Sequence, residues 1–314
     1  IQPNFWRAPN DNDYGNGAPK RLHVWKQSSK DFHVTDTKVS TEDKAVLLQA
    51  TYLLAAGNLY VVTYKIYPSG IVHVNAKFTS TDMQAAETEV SEATRMATFT
   101  PGSDAARKAA SKLEVPRIGV RFRLPAQMNN VQYFGRGPEE NYIDRNHGTM
   151  VGIYQTTADK MYFNYVRPQE NGHHTDTRWL NLSPDKGNGL VIVADSLIGF
   201  NALRNSVEDF DSEEALPHPY QWNNFSPEEA ANHDEKAARN VLRRMHHVND
   251  VTPRDFVEVC VDMKQQGVGG YDSWGARPEP FHQIPANREY NWGFTLVPVR
   301  SGSQATEAAK YDYR

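Results

Sequence analysis

Apolar and polar residues alternate with a period of two in several parts of the sequence, and this pattern constrains the fold more than any other feature. In residues 71–79 (IVHVNAKFT), every second side chain from Val72 to Phe78 is apolar, whereas the side chains between them are polar. Such alternation is typical of a β-strand with one buried face. A Pro-Ser-Gly turn at 68–70 joins this segment to 59–67 (LYVVTYKIY), which predicts an antiparallel hairpin.

The same alternation in 118–124 (IGVRFRL) places Arg121 and Arg123 on the face opposite the apolar side chains. Helical periodicity is scarce, and its clearest candidate is 226–239, where Ser226 can cap a helix. Many short strands, few helices and no internal repeat predict an all-β protein, a large antiparallel β-sandwich. Further β-rich segments lie at 45–53, 129–134, 189–204, 255–264 and 289–299.

The composition excludes several classes of protein. The 314 residues include 34 basic and 38 acidic side chains, so no broad positive field exists to bind nucleic acid, and we expect neutral ligands. The single cysteine, Cys260, excludes an internal disulfide and is expected in the core. No apolar run approaches the roughly 18 residues of a membrane span. The sequence predicts a soluble protein, cytoplasmic or periplasmic, and its start at Ile-Gln-Pro rather than Met suggests a piece of a longer polypeptide.

Acidic side chains accumulate between residues 205 and 235 without one Lys or Arg. A run of like charges is usually solvated. We therefore expect a solvated excursion there rather than an acidic binding surface.

Four segments are denser in polar and aromatic residues than a fold alone requires. In 4–15 (NFWRAPNDNDYG), Arg7 precedes Asn and Asp residues that favour turns, so the segment is either a rigid turn or part of a site. In 135–145 (GRGPEENYIDR), Glu139 and Glu140 could suggest a glycosidase acid and nucleophile. Adjacent side chains of an extended chain point to opposite sides, however, so a network of Arg and carboxylates that holds a loop is the favoured interpretation.

The third segment, 165–178 (YVRPQENGHHTDTR), contains the adjacent pair His173 and His174. Neighbouring side chains diverge in a strand and no third ligand follows at a diagnostic spacing, which disfavours a metal site. The fourth segment, 268–277 (VGGYDSWGAR), places Trp274 in a Gly-rich loop. An indole there can bind the C–H face of a sugar ring or fold back over the domain's own core, and the residues alone leave both open.

Taken together, the motifs NFWRAPNDNDYG, YFGRGPEENYIDR, YVRPQENGHHTDTR and GVGGYDSWG resemble the C-terminal domain of the large bacterial β-galactosidases of glycoside hydrolase family 2. They occur in that family's order over roughly residues 4–299. The resemblance implies a supersandwich with galactose mutarotase-like topology over residues 1–300. Residues 301–314 would form a C-terminal extension without an assigned role.

The resemblance also implies roles for particular residues. Trp274 would form a platform for the sugar in the aglycone subsite, with Asp272 as a polar neighbour. A mobile active-site loop would begin at Gly15 and include Asn16 and Gly17. The residues carried over as parts of structural motifs are Arg7, Asn12, Asp13, Glu139, Glu140, Asn141, Arg145, Glu170, Asn171 and Arg178.

Enzymes of this family cleave with retention and use two glutamates about 5 Å apart on a (β/α)₈ barrel. The sequence has neither alternating strand-helix units nor the motifs of those glutamates. The resemblance therefore implies no catalytic residue, metal or cofactor in this chain, a barrel in the same polypeptide as its partner, and an inactive isolated fragment. The complete enzyme would bind galactosides such as lactose, and family members often use Mg²⁺ and Na⁺ near the barrel site. Whether the complete enzyme forms a homo-oligomer stays open.

Two other functions stay open. An autonomous aldose mutarotase-like enzyme needs a general acid and a general base across one sugar ring, and Glu170 with His173 or His174 is the best available set. A purely structural or oligomer-forming module would use the four motifs to hold loops and interfaces, and protein would then cover Trp274. An assay of anomer interconversion by the isolated chain separates the first alternative from the others.

Overall fold

The structure is a computed structural model that describes residues 1–55, 57–80, 114–211, 247–272 and 275–313. Antiparallel strands dominate these residues, and the helices are short. The strands are β1 (Gln2–Asn4), β2 (His33–Glu42), β3 (Ala45–Leu53), β4 (Leu59–Ile66), β5 (Val72–Thr79), β6 (Arg117–Pro125), β7 (Asn130–Gly137), β8 (Met150–Thr157), β9 (His174–Ser183), β10 (Gly189–Leu203), β11 (Phe256–Gln265) and β12 (Tyr290–Val299). The α-helices are α1 (Asp11–Gly15), α2 (Ala18–Arg21), α3 (His23–Ser28), α4 (Ala158–Met161), α5 (Val207–Phe210) and α6 (Ala305–Ala308).

The strands of the described residues form one curled sheet. Its order is β1-β6-β11-β10-β12-β5-β4-β3-β2, and β9, β7 and β8 continue from β10 in a second direction. The curl brings β4 close to β6. The hydroxyl of Tyr60 in β4 donates a hydrogen bond to the carbonyl of Gly119 in β6 at 3.3 Å. Phe5 fills the space between them and lies 5.0 Å from the Tyr60 ring and 5.8 Å from the Phe78 ring. The predicted all-β sandwich is confirmed.

The predicted hairpin is also confirmed. β4 and β5 pair in antiparallel register from Leu59 opposite Thr79 to Ile66 opposite Val72. Val74, which the alternation places on the apolar face, is fully buried. The buried face of this hairpin thus follows directly from the period of two.

The polar face of β6 is partly buried. Arg123 is largely exposed, but Arg121 is buried and forms ion pairs with Glu208 and Glu258 at 2.7 and 3.4 Å. On this face, Arg121 is bound by Glu208 of α5 and by Glu258 of β11, the strand that pairs with β6. The period of two does not reveal that carboxylates cover this face, and these carboxylates replace the water that the buried guanidinium loses.

The beginning of the acidic segment is not a solvated excursion either. Asp211 is buried, accepts a hydrogen bond from Trp6 Nε1 at 2.6 Å and forms an ion pair with Lys26. Burial alone would raise the pKa of Glu208, but its hydrogen bonds and charge interaction with Arg121 outweigh burial and lower this pKa to about 2. These carboxylates pair with cations from distant parts of the chain, which the local sequence does not contain. Residues 212–235 and the predicted helix at 226–239 lie outside the described residues.

The C-terminal extension packs against the sheet. Ala305, in α6, is fully buried against a second apolar cluster that contains Trp179, Val191 and Val297. The hydroxyl of Tyr67 also reaches the backbone carbonyl of Tyr313 at 3.4 Å. The extension therefore covers apolar surface of the central strands.

Two smaller features complete the fold. Cys260 is buried, as predicted, and burial raises the pKa of its thiol well above the ordinary value. No helix of the described part of the chain combines the length and the apolar character that a membrane crossing requires.

Candidate functional site

The first motif is held by a buried ion pair. The guanidinium of Arg7 donates from Nη2 to both carboxylate oxygens of Asp13, at 2.9 and 3.1 Å. Asn10 and Asp13 form a reciprocal capping box at the start of α1, in which each side chain accepts a hydrogen bond from the other residue's backbone N–H. Both halves of the pair are buried, so the turn is rigid and Arg7 has one available orientation.

The segment that we expect to form a mobile loop lies at the junction of two short helices. α1 ends at Gly15, Gly17 adopts a left-handed conformation with φ of 74°, and α2 follows at once. The side chain of Asn16 accepts hydrogen bonds from the Ala18 N–H at 3.1 Å and from Arg21 at 3.2 Å. Asn16 and the left-handed Gly17 thus form the turn between the two short helices. The mobility of the segment stays a prediction.

The second motif is a network of hydrogen bonds rather than a pair of catalytic carboxylates. Glu139 is exposed, whereas the side chain of Glu140 accepts from Arg145 at 2.5 Å, from the Gly172 N–H at 2.7 Å and from the hydroxyl of Tyr165. Burial and the neighbouring Glu140 raise the pKa of Tyr165 to about 12. Glu140 thus joins the second motif to the third, as the loop-holding interpretation predicts.

Asn141 lies at the centre of this network and is fully buried. Its amide nitrogen donates to the carbonyls of Arg136 and Glu139, both at 3.1 Å. Its amide oxygen accepts from the N–H and the hydroxyl of Thr175 at 2.9 and 2.6 Å. Every polar atom of this amide is satisfied, which fixes the second motif against β9.

The centre of the third motif, residues 170–175, is buried. The N–H of Glu170 donates to the carbonyl of Ala8 at 3.2 Å, and its carboxylate lies 3.7 Å from the guanidinium of Arg117. Asn171 is buried and accepts from the Phe163 N–H at 3.3 Å. Arg178 lies over the ring of Phe134, 5.2 Å from its centre.

Both histidines of this motif are buried. The Nδ1 atom of His174 lies 2.9 Å from the carbonyl oxygen of Arg136, which can only accept, so the neutral ring carries its proton on Nδ1. Burial lowers the pKa of His174 to about 4. Burial and the charge of Arg117 lower the pKa of His173 well below the ordinary value. His173 is stacked on the ring of Tyr142 with 5.5 Å between the centres.

These positions contradict the acid-base assignment of the mutarotase-like alternative. Glu170, His173 and His174 are all almost completely excluded from solvent. A general acid or base has to come within hydrogen-bonding distance of the sugar, and these groups face protein instead. In the part of the chain that the structure describes, no group of three or more His, Cys, Asp and Glu side chains is arranged to hold a metal ion.

The fourth motif overlaps residues 266–272 and 275–276, which together we call the anchored segment. Arg7 Nη1 donates to the carbonyl of Gln266 at 2.9 Å, and Asn10 donates to the carbonyl of Val268 at 3.1 Å. A Cβ atom added at Gly270 would lie 2.5 Å from the side-chain nitrogen of Asn12. The first motif therefore bonds to two positions of the anchored segment and packs closely against a third.

The second motif holds the same segment from the other side. The carboxylate of Asp144 accepts hydrogen bonds from the N–H groups of Val268 and Gly269 at 3.0 and 2.8 Å. The sequence places Asp144 among the carboxylates of the predicted loop-holding network but does not indicate its partners. Its only sequence signal is its place in the motif, because its partners follow more than 120 residues later.

Asp272 accepts a hydrogen bond from the Ala276 N–H at 3.0 Å and is exposed. Ser273 and Trp274 lie outside the described residues, so the platform role of Trp274 stays a prediction. Two large aromatic side chains in or beside the anchored segment are exposed. Tyr271 and Phe281 are 75% and 72% exposed, and the carbonyl of His282, which follows Phe281, accepts from the Gly267 N–H at 2.9 Å.

Comparison with known proteins gives a match over nearly the whole chain. The family model described as the beta galactosidase small chain matches residues 1–296. A beta-galactosidase of Priestia megaterium is 30% identical over 301 residues, which are 95% of this chain and 23% of that protein. Beta-galactosidases of Streptococcus thermophilus and Lactobacillus delbrueckii subsp. bulgaricus are each 27% identical over 94% of this chain and 23% of their own length. The chain thus spans less than a quarter of the length of these relatives.

Proposed function

Because the chain belongs to the beta-galactosidase small chain family, we propose that it is the C-terminal, non-catalytic part of a β-galactosidase. The complete enzyme would hydrolyse terminal non-reducing β-D-galactose residues with retention, as a member of glycoside hydrolase family 2. The small share of each relative that the chain matches supports a large partner outside it. We assign that partner the (β/α)₈ barrel with both catalytic glutamates, and with it any Mg²⁺ or Na⁺.

The proposed role of this chain rests on the way in which two motifs hold the anchored segment. Two motifs, distant from it and from each other in the sequence, place their side chains on residues 266–270, and Gly275 contacts the first motif again. A loop fixed at both ends can present a side chain at a defined position. We assign Trp274 the platform for the sugar in the aglycone subsite, and Asp272 a polar contact beside it.

The exposed apolar side chains support a partner at this end of the sandwich. Tyr271, in the anchored segment, and Phe281, beside it, are both largely exposed, and large exposed apolar side chains are typical of surfaces that bind a partner. We place the barrel against this surface, so that the indole of Trp274 stands across the sugar from the glutamates. Residues 15–17 adjoin the anchored segment and would form the mobile element of the same site.

The complete enzyme, this chain together with its catalytic part, provides the test. A buried indole face contributes about 1.5–3 kcal/mol to binding. We expect Trp274→Ala to weaken the affinity for sugars in the aglycone subsite roughly 10- to 100-fold, measured as the inhibition constant of an acceptor sugar. Cleavage of an activated aryl galactoside should change less, because its leaving group demands less of that subsite.

Two control variants sharpen this experiment. Trp274→Phe keeps a flat ring and should lose less affinity than Trp274→Ala. Tyr311→Ala removes another exposed aromatic side chain, on the C-terminal extension, and should leave the inhibition constant unchanged. Equal losses with lactose and with the aryl galactoside would refute the platform role. Hydrolysis of lactose by the isolated chain would refute the assignment of the glutamates to a partner.

A further inference from the structure

We propose that Asp144 is the positioning residue of the anchored segment, and that its carboxylate sets the place at which Trp274 meets the sugar. The second half of this proposal rests on the proposed function, whereas the first half stands on the contacts of Asp144 alone. Asp144 itself does not contact the sugar. It acts through the backbone of residues 267–269.

The hydrogen bonds of Asp144 match its two oxygen atoms to two successive N–H groups. Oδ1 accepts from the Val268 N–H at 3.0 Å, and Oδ2 accepts from the Gly269 N–H at 2.8 Å. An ionised carboxylate is the one side-chain group of this size that offers only acceptors at both positions. These charge-assisted bonds are stronger than bonds between neutral groups.

The backbone of the anchored segment is shaped around this carboxylate. A Cβ atom added at Gly267 would lie 2.3 Å from Oδ2 of Asp144, so only glycine allows this approach. Gly269 has a φ of 67°, in the left-handed region that favours glycine. The segment therefore turns about Asp144 in a conformation that side chains at 267 and 269 would oppose.

Asp144 is itself held in place. It lies in a turn that two backbone hydrogen bonds close, from Tyr142 N to Arg145 O at 3.2 Å and from Arg145 N to Tyr142 O at 2.8 Å. Tyr142 is buried, and Arg145 is bound by Glu140. Through the side chain of Asp144, the second motif thus holds the backbone of Gly269. Gly269 lies five residues before Trp274 in the sequence.

The substitution Asp144→Asn tests this arrangement with almost no change in shape. It replaces one acceptor oxygen by an NH₂ group that faces an N–H, so at least one of the two bonds is lost. Hydrogen-deuterium exchange of the complete enzyme is the first measurement. We expect the amides of Val268 and Gly269 to exchange roughly tenfold faster or more, since a hydrogen bond to a charged group is lost. Unchanged exchange at both amides would overturn the proposal.

The second measurement compares binding with chemistry in the same enzyme. We expect Asp144→Asn to raise the inhibition constant of an acceptor sugar roughly three- to tenfold, through displacement of the indole, with little change in kcat for an activated aryl galactoside. A variant that merely destabilised the fold would lower kcat through loss of active enzyme and leave the inhibition constant unchanged. That pattern would also overturn the proposal.

Two further variants separate the possible failures. Asp209→Asn removes a buried carboxylate that also accepts a backbone N–H, from Ser206 at 2.9 Å, and it should change neither amide exchange in the anchored segment nor the inhibition constant. If Trp274→Ala has no effect on acceptor binding, the proposed function fails, and the exchange measurement still decides whether Asp144 holds the segment. If Trp274→Ala weakens acceptor binding but Asp144→Asn does not, the positioning role fails by itself.

Discussion

Gly275 and Gly15 lie with their backbones in direct contact: a Cβ atom added at Gly275 would come within 2.4 Å of the carbonyl carbon of Gly15. Gly15 is the residue at which the mobile element is expected to begin, and Gly275 directly follows Trp274. The two functional elements implied by the family resemblance therefore touch each other. A movement of one has to be accommodated by the other, because Gly275 has no room for a side chain against the backbone of Gly15.

This contact predicts a large effect of Gly275→Ala. The new methyl group meets backbone atoms that cannot rotate away, and the φ of 97° at this position is unfavourable for alanine. Gly57→Ala is the matched control, because Gly57 has a φ of 83° but open space around the added Cβ. We expect Gly275→Ala to lower the free energy of unfolding by about 1–3 kcal/mol more than Gly57→Ala, measured by urea denaturation. Equal losses would show that no close contact exists at Gly275.

The buried pair of Arg7 and Asp13 predicts a second effect on stability. Replacing Asp13 by Asn leaves the guanidinium of Arg7 buried without its counter-charge, and we expect a loss of about 3–5 kcal/mol in the free energy of unfolding. The exposed pair of Asp36 and Lys38 is the control, and Asp36→Asn should cost less than about 1 kcal/mol. Urea denaturation of both variants checks the difference. A similar small loss in both would contradict the structural importance of the pair.

His174 predicts how stability depends on pH. The unfolded chain binds a proton at this residue below about pH 6.5, whereas the buried ring of the folded chain binds one only below about pH 4. Between these values protonation favours the unfolded state, so stability falls as the pH falls. The expected contribution is about 3 kcal/mol over this window. His174→Asn keeps a donor for the Arg136 carbonyl and does not titrate, so its free energy of unfolding should fall less steeply between pH 6.5 and 4. A slope equal to that of the unsubstituted protein would contradict this prediction.

The sequence predicted strands well where one face is buried and the other is not. The hairpin of β4 and β5 satisfies this condition, and its bounds differ from the prediction by one residue at an end. β9 (His174–Ser183) was missed because most of its residues are buried on both faces, and because its first residues belong to a polar motif. β2 (His33–Glu42) was missed for the opposite reason, since all ten of its residues are exposed and its composition is polar.

The composition of the site was easier to predict than its geometry. The motifs containing Arg7, Glu140 and Asn141 were recognised, and the structure shows them as networks that hold loops. The contact between Asp144 and Val268 joins residues that are 124 positions apart, and only the tertiary fold determines such a pair. The burial of Arg121 was missed for the same reason, because its partners Glu208 and Glu258 lie on α5 and β11, far from it in the sequence.

The C-terminal extension, to which the sequence assigns no role, gives the last prediction. Ala305 is fully buried against Trp179, Val191 and Val297, whereas the adjacent Thr306 is exposed. Ala305→Glu places a charge against this apolar surface and should detach the extension, with a loss of about 2–4 kcal/mol in the free energy of unfolding. Thr306→Glu should change it by less than about 0.5 kcal/mol.

Deletion of residues 301–314 uncovers the same surface and should cost about as much as Ala305→Glu, because the loss in both cases is that of the covered apolar area. The deletion and Ala305→Glu are made in separate proteins, and their free energies of unfolding are compared by urea denaturation. If the deletion leaves the free energy of unfolding unchanged while Ala305→Glu lowers it, the extension does not stabilise the sheet, and the glutamate acts only as an unfavourable charge.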